Sequence, residues 1–197
     1  MSKILPRQFF KRSTRVVAKD LLGKFLVRRF RSKTQAYMIT EVEAYDGFRD
    51  RASHASRGKT KRNAPMFGPP GHWYVYFTYG MHWMLNIVTR ERGYPAAVLI
   101  RSVVKIKRNG EPRRRRAASF VSNLEHISGP GRLAKRLHIN KRLNGLPASR
   151  RTGLWIIEDR GVRISRAKIK KTPRVGVAYA GSEWAAKPRR FLIARDL

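Results

Sequence analysis

Two carboxylates stand two residues apart in the run Glu41-Val42-Glu43-Ala44-Tyr45, in a chain with 12 Asp plus Glu against 45 Lys plus Arg. In an extended segment side chains alternate between faces, so Glu41 and Glu43 would stand roughly 6 to 7 Å apart on the same side. Three chemistries fit this spacing. The pair could be the solvated face of an edge strand. With Asp46 and His54 it could hold a metal ion through oxygen and imidazole ligands. Alternatively, one glutamate could be a general base in a basic pocket, where surrounding arginines keep the carboxylate in the form that activates water.

A second chemical grouping lies in residues 62–101. Residues 73–77 and 81–88 read as two strands joined by Thr78-Tyr79-Gly80, where Gly80 supplies the left-handed backbone that a short hairpin loop needs. That loop predicts Phe77 opposite Met81. Alternation then sorts Trp73, Val75, Phe77, Met81, Trp83, Leu85 and Ile87 onto an apolar core face. The other face takes Tyr74, Tyr76, His82, Met84 and Asn86, which suits either an ordinary half-buried sheet or a pocket for a flat ligand with polar edges. Tyr79, at the centre of the loop, projects into solvent, where its ring has the bulk of a wedge between stacked bases.

The elements that must position these groups follow from periodicity and punctuation. Ser13-Thr14 caps a helix with Val16, Val17, Leu21 and Leu22 at helical spacing, ended by Gly23. Residues 24–30 suggest a strand and 31–35 a polar turn. Residues 36–45 form the next strand, with Ile39, Glu41, Glu43 and Tyr45 sharing one face. A loop over 46–61 carries His54, and the proline- and glycine-dense 62–71 reads as rigid irregular backbone leading into the hairpin. Residues 96–100 form a continuous apolar strand closed by Arg101. A basic, mobile insertion is expected at about 105–125, its run Arg113-Arg114-Arg115-Arg116 adding phosphate affinity without sequence choice. After Ser128-Gly129-Pro130-Gly131 comes a short helix over 132–137, whose start beside Arg132 would suit a phosphate. Strands are expected at 154–158 and 162–165, joined at 159–161, at 174–179 with Gly176 inside, and at 191–193.

Composition bounds the class. At 197 residues the chain suits one domain, and its 42% hydrophobic content with 4 tryptophans can form a core, which excludes whole-chain disorder. The formal charge of +33 opposes compaction unless a polyanion is the partner, so nucleic acid leads. No amphipathic anchor helix or lipidation signal points to a membrane. There is no cysteine, which removes disulfides and thiolate metal sites. The N-terminus lacks the apolar run of a secretory signal, and no stretch approaches membrane-spanning length, so an intracellular protein is expected: cytoplasm or nucleoid in a bacterium, nucleus in a eukaryote.

The order of motifs resembles the alkyladenine (3-methyladenine) DNA glycosylases, base-excision enzymes that remove damaged purines from duplex DNA. The resemblance rests on Glu41-Val42-Glu43-Ala44-Tyr45, His54 with Ser56-Arg57-Gly58, Arg62-Asn63 with Met66-Phe67, and Pro70-Gly71 before Tyr74-Val75-Tyr76. It continues through Tyr79-Gly80-Met81, Met84-Leu85-Asn86-Ile87, Val98-Leu99-Ile100-Arg101, Ser128-Gly129-Pro130, Arg174-Val175-Gly176-Val177, and Trp184 with Lys187-Pro188. These matches span most of the chain in one order. The resemblance implies a single mixed α/β (α+β) domain with a curved, mostly antiparallel sheet, flanking helices and a protruding β-hairpin. It implies a monomeric, monofunctional glycosylase that needs no metal or cofactor and takes double-stranded DNA containing damaged purines. Position by position, Glu43 corresponds to the general base, Arg101 to the residue that holds the water and the carboxylate, and the Val175 carbonyl to a further water ligand. Tyr45 and Tyr76 would stack on the extruded base, with His54 and Met66 beside it and Asn86 discriminating against the amino group of guanine. Tyr79 would fill the gap left in the duplex, and Arg57, Arg62 and Arg132 would contact the DNA backbone.

Two rivals come from other classes. A noncatalytic nucleic-acid binder accounts for the charge and the exposed Tyr79 but assigns nothing to Glu43. A metal-dependent nuclease would use the carboxylates differently and would cut the strand.

Overall fold

The strand that carries both glutamates, β3 (Lys33–Asp46), is the longest among the described residues. The computed structural model describes residues 2–106, 124–159 and 161–194. β3 pairs with β2 (Phe25–Phe30) along residues 33–38 and with β6 (Ala96–Ile106) along 38–46, while β10 (Arg190–Ile193) joins it at 41–43. Beyond β2 lie β8 (Leu154–Glu158) and β1 (Lys3–Ile4), and beyond β6 lie β5 (His82–Val88) and β4 (Trp73–Thr78). β7 (Leu124–Ser128) pairs with β6 and β9 (Ile169–Thr172) with β10, and each of these pairings is antiparallel. Short helices complete the fold: α1 (Arg7–Phe10), α2 (Thr14–Leu21), α3 (Pro130–Arg136) and α4 (Ser182–Ala186). The α+β class with a mostly antiparallel sheet is as the sequence implied. No helix among the described residues is long and apolar enough to cross a membrane.

The helices cover one face of the sheet because their buried positions recur at helical spacing. Val17, Ala18 and Leu21 of α2, with Leu133, Ala134 and Leu137 at α3, join Ile39, Val42, Ala44, Leu85, Ile87, Val98 and Ile100 in one core. Trp73 is fully buried in that core, and its indole N–H donates to the Leu154 carbonyl at 3.2 Å, tying the hairpin to β8. The opposite face of β3, β6, β5 and β4 carries the polar and aromatic groups.

Several expectations need correction, each for a physical reason. Ile39 does not share a face with Glu41 and Glu43; it lies in the core with Val42 and Ala44. The register runs Ile39 to Val103, Glu41 to Ser102 and Val42 to Ile100, leaving Thr40 on β3 and Arg101 on β6 without an opposite residue. These irregularities reverse the alternation of both strands at one point. Arg101 therefore does not close its strand, which runs on to Ile106. β3 also begins at Lys33, within the expected 31–35 turn, because Arg31 takes φ 54° and turns the chain tightly.

In the hairpin Phe77 pairs with Trp83 and Thr78 with His82, not Phe77 with Met81. Tyr79 and Gly80 both have positive φ, 52° and 65°, and Met81 N–H donates to the Thr78 carbonyl at 3.2 Å. The turn is thus centred one residue later than expected, and the two-residue shift in pairing preserves each strand's faces. The apolar face is core only toward its base, since Phe77 and Met81 are 44% and 66% exposed.

Residues 162–165 are not a strand; Ile164 packs beside Gly23, at the end of α2, and β9 forms later. Nor are 174–179: Gly176 takes φ 72°, and Ala178–Ala180 form a single 3-10 turn. The expected insertion at about 105–125 lies outside the described residues over 107–123, whereas its flanks are paired, Lys105 with Glu125.

Ile100 is fully buried where α2 and α3 meet the sheet. Ile100→Ala is expected to cost about 2–5 kcal/mol of stability, read as a lower urea midpoint at unchanged slope.

Candidate active site

Glu43 is 0% exposed, yet among the described residues it is the one carboxylate on the wall of a groove of about 1050 Å³. A buried carboxylate is costly unless donors replace its water, and here the replacements come from three directions. The Val175 backbone N–H donates to Oε1 at 2.8 Å, Arg101 Nη1 lies 3.2 Å from the same oxygen, and the Tyr45 hydroxyl donates to Oε2 at 2.8 Å. Among the described residues Oε2 accepts from that hydroxyl alone, which leaves it capacity for a further donor. Burial, followed by the nearby Glu43 charge, raises the Tyr45 hydroxyl well above its ordinary value, so it remains a donor.

Each donor has its own support. Arg101 reaches the glutamates from the irregular point of β6, with Nε donating to Glu41 Oε1 at 2.9 Å and Nη1 on Glu43. Val175 is held by its neighbour: Arg174 binds Asp50 in bidentate fashion at 2.7 and 2.8 Å and also donates to the Ala44 carbonyl at 2.9 Å. Both side chains of this pair are fully buried, and Arg189 adds a further bond to Asp50 at 2.9 Å. Burial alone would raise the Asp50 carboxyl, but the hydrogen bond and charge of Arg174, with Arg189, hold it below its ordinary value. The Arg174 guanidinium also sits 4.7 Å from the centre of the Tyr45 ring. One arginine therefore fixes both the amide and the phenol that face Glu43.

A slot of about 40 Å³ adjoins the groove, lined by Tyr45, His54, Met66, Tyr74, Tyr76, Asn86 and Tyr179 among others. His54 Nδ1 is 2.9 Å from the Tyr74 hydroxyl, and its ring meets Tyr76 edge-on with centroids 4.6 Å apart. Asn63 donates to the His54 carbonyl at 2.8 Å and fixes that loop. The Asn86 amide donates to the Tyr74 carbonyl at 3.0 Å, and Met66 packs against Tyr74. Although His54 stays open to the groove, desolvation by its neighbours, then the charge of Arg62, lowers its imidazole to about 4.

The structure thus gathers Glu43, Arg101, Val175, Tyr45, His54, Met66, Tyr76 and Asn86 around one groove and its slot. Tyr79 lies at the groove's edge, 77% exposed, and Arg57 and Arg62 line the wall. Arg62 donates to the Phe77 carbonyl at 3.0 Å and lies 5.2 Å from the Tyr76 ring centre. Arg132 is exposed on α3 and does not line the groove, although its neighbour Pro130 does. Val175 meets the carboxylate through its backbone N–H. The four ligands of the metal reading are separated: Asp46 accepts from the Thr14 hydroxyl at 2.8 Å, and His54 faces Tyr74. Among the described residues no three His, Asp or Glu side chains group as a metal ion would require.

Sequence reasoning missed Asp50, Arg174 and Tyr179. Asp50, a scarce acid in a basic loop, offered a signal, but its partner is 124 residues away. Tyr179, 68% exposed, overhangs groove and slot with its hydroxyl donating to the Ala52 carbonyl at 2.9 Å.

The chain is also similar in sequence to known proteins. A sequence family described as methylpurine-DNA glycosylase matches residues 8–197. A Methanocella arvoryzae protein is 45% identical, covering 95% of this chain and 91% of its own. One from Carboxydothermus hydrogenoformans is 44% identical over 98% of this chain and 96% of its own, and one from Streptomyces avermitilis 42% over 98% and 88%. All three are provisionally named 3-methyladenine DNA glycosylases.

His54 yields a pH prediction. The unfolded chain binds this proton near the ordinary imidazole value of 6.5 and the folded protein only near 4, so acidification between those values favours unfolding. In an NMR titration the His54 ring is expected to stay neutral from pH 8 to 5; a midpoint near 6.5 would contradict its desolvation.

Proposed function

The chain belongs to the methylpurine-DNA glycosylase family, and from that premise we propose that it is a monofunctional DNA-3-methyladenine glycosylase acting as a monomer on duplex DNA. Its substrates are alkylated or deaminated purines of the 3-methyladenine, 7-methylguanine, hypoxanthine and ethenoadenine class. The observation that carries this reading is Glu43: a fully buried carboxylate with three protein donors, set in a groove that also presents several arginines and tyrosines.

The chemistry follows from where the groups stand. The N-glycosidic bond of a stacked nucleotide is out of reach, so the damaged nucleotide rotates out of the helix at a cost of a few kcal/mol, less where damage has weakened pairing. The protruding tip of the β4–β5 hairpin inserts Tyr79 into the vacated space, and Arg57, Arg62 and Arg132 bind the flanking phosphates. Tyr45 and Tyr76 stack on the purine while neutral His54 and Met66 border it and Asn86 excludes the amino group of guanine. As the C1′–N bond breaks, its electron pair leaves with the base and positive charge develops on the sugar, which anionic Glu43 stabilises. Glu43 Oε2, the Arg101 guanidinium and the Val175 carbonyl hold the water, whose oxygen bonds to C1′ as its proton passes to Glu43. A cationic alkylated purine leaves neutral, whereas a neutral lesion such as hypoxanthine leaves as an anion and takes its proton from solvent, so the products are a free base and an abasic site in an intact strand.

Glu43→Gln is expected to lower release of 3-methyladenine or hypoxanthine from duplex DNA by about 10²- to 10⁴-fold while DNA binding persists. Failure of wild type and variant alike to release base, with binding intact, would leave a noncatalytic nucleic-acid binder. Strand cleavage that disappears with chelator would indicate a nuclease instead. Tyr79→Ser is expected to weaken commitment to the extruded state by about 1–3 kcal/mol, the worth of one base–aromatic stack, with nonspecific affinity nearly unchanged. Equal single-turnover excision by Tyr79→Ser and wild type would remove Tyr79 from this role.

A further inference from the structure

Glu41 faces the same side of β3 as Glu43, but it makes no contact with the slot. Its Oε1 accepts from Arg101 Nε at 2.9 Å, and its Oε2 accepts from the Ser102 hydroxyl at 2.5 Å. Arg190, reaching across from β10, brings Nη1 to 3.6 Å from Oε1. The Arg101 side chain is 12% exposed, so its guanidinium is shared between two carboxylates in a largely dry place.

We propose that Glu41 is a positioning residue: it holds Arg101 by Nε, so that the guanidinium meets Glu43 at one oxygen only and leaves the other for water. This role rests on the glycosylase reading above. An arginine free to rotate next to a buried carboxylate forms a bidentate pair, which engages both oxygens. Here Arg101 and the Val175 N–H converge on Glu43 Oε1, while Oε2 has the Tyr45 hydroxyl alone. With the Nε anchor removed, the contact of Nη1 with Glu43 is what remains to Arg101 among the described residues, and collapse onto Glu43 would occupy the lone pair the water needs. Ser102 and Arg190 hold Glu41 in turn, and Arg190 supplies the second positive charge for a pair of carboxylates that otherwise share one arginine. The register irregularity puts Arg101 and Ser102, which are neighbours in sequence, within reach of the same glutamate. A regular strand would point them to opposite faces.

The test is single-turnover base release from duplex DNA containing hypoxanthine, at saturating enzyme, for wild type, Glu41→Ala and Glu41→Gln. The affinity of each for duplex bearing an abasic-site analogue and each melting temperature are measured alongside. Glu41→Ala is expected to release base about 10- to 100-fold more slowly, the scale of a catalytic group displaced by about 1 Å, with affinity within about twofold. Glu41→Gln keeps an oxygen acceptor for Arg101 Nε and is expected to recover most of the rate. A structural role alone would lower melting and active fraction without changing the rate per folded molecule; that result overturns the proposal, as does a Glu41→Ala rate equal to wild type or a Gln variant as slow as Ala. Inactive wild type would overturn the glycosylase reading and this role with it, whereas active wild type with unaffected variants overturns this role alone.

Discussion

The protein is built around the need to keep one carboxylate dry without leaving it unpaired. Burying an ionised group costs several kcal/mol unless hydrogen bonds replace its water, and Glu43 has its replacements from three separate parts of the chain: β6 through Arg101, the 174–177 segment through Val175, and its own strand through Tyr45. Other features serve that arrangement. The Asp50–Arg174 pair, itself fully buried, holds the segment that delivers the Val175 amide and packs on the Tyr45 ring. The irregular pairing of β3 with β6 turns Arg101 toward the two glutamates.

The charge of the whole molecule acts differently from these local bonds. A formal +33 draws the protein to any polyanion and is screened by salt. The bonds around Glu43 lie inside the protein, where screening is weak. Arg62 connects the two scales. It lines the groove, bonds to the Phe77 carbonyl near the hairpin tip, faces the Tyr76 ring and helps keep His54 neutral. The tip itself is held by backbone: Tyr79 has φ 52°, a left-handed conformation that costs a non-glycine residue roughly 1–2 kcal/mol. That strain accompanies the placement of a large ring in solvent.

Legibility in the sequence depended on how local the deciding physics was. The hairpin faces were readable because alternation depends only on neighbours: Trp73, Val75, Leu85 and Ile87 are core, and Tyr74, Tyr76, Met84 and Asn86 share the other face. The turn was not, since Tyr79 rather than a second glycine takes the extra left-handed position. Arg174 to Tyr179 reads as a strand by composition, yet burial of the Arg174 guanidinium against a distant aspartate bends it away from any ladder. Ile164 likewise belongs to an alternating stretch, Val162-Arg163-Ile164-Ser165, that looks extended, but it packs beside Gly23.

The sequence by itself determined the cationic character, the pair of glutamates and the aromatic strand face opposite the core, because composition and period-two patterning are properties of short stretches; the class of fold came through the resemblance of its motif order to a known family. Tertiary structure alone decided which glutamate is enclosed, which residues donate to it and that Ile39 turns to the core. Those outcomes depend on strand register and on ion pairs between residues more than a hundred positions apart, where long-range hydrogen-bond geometry overrides local alternation.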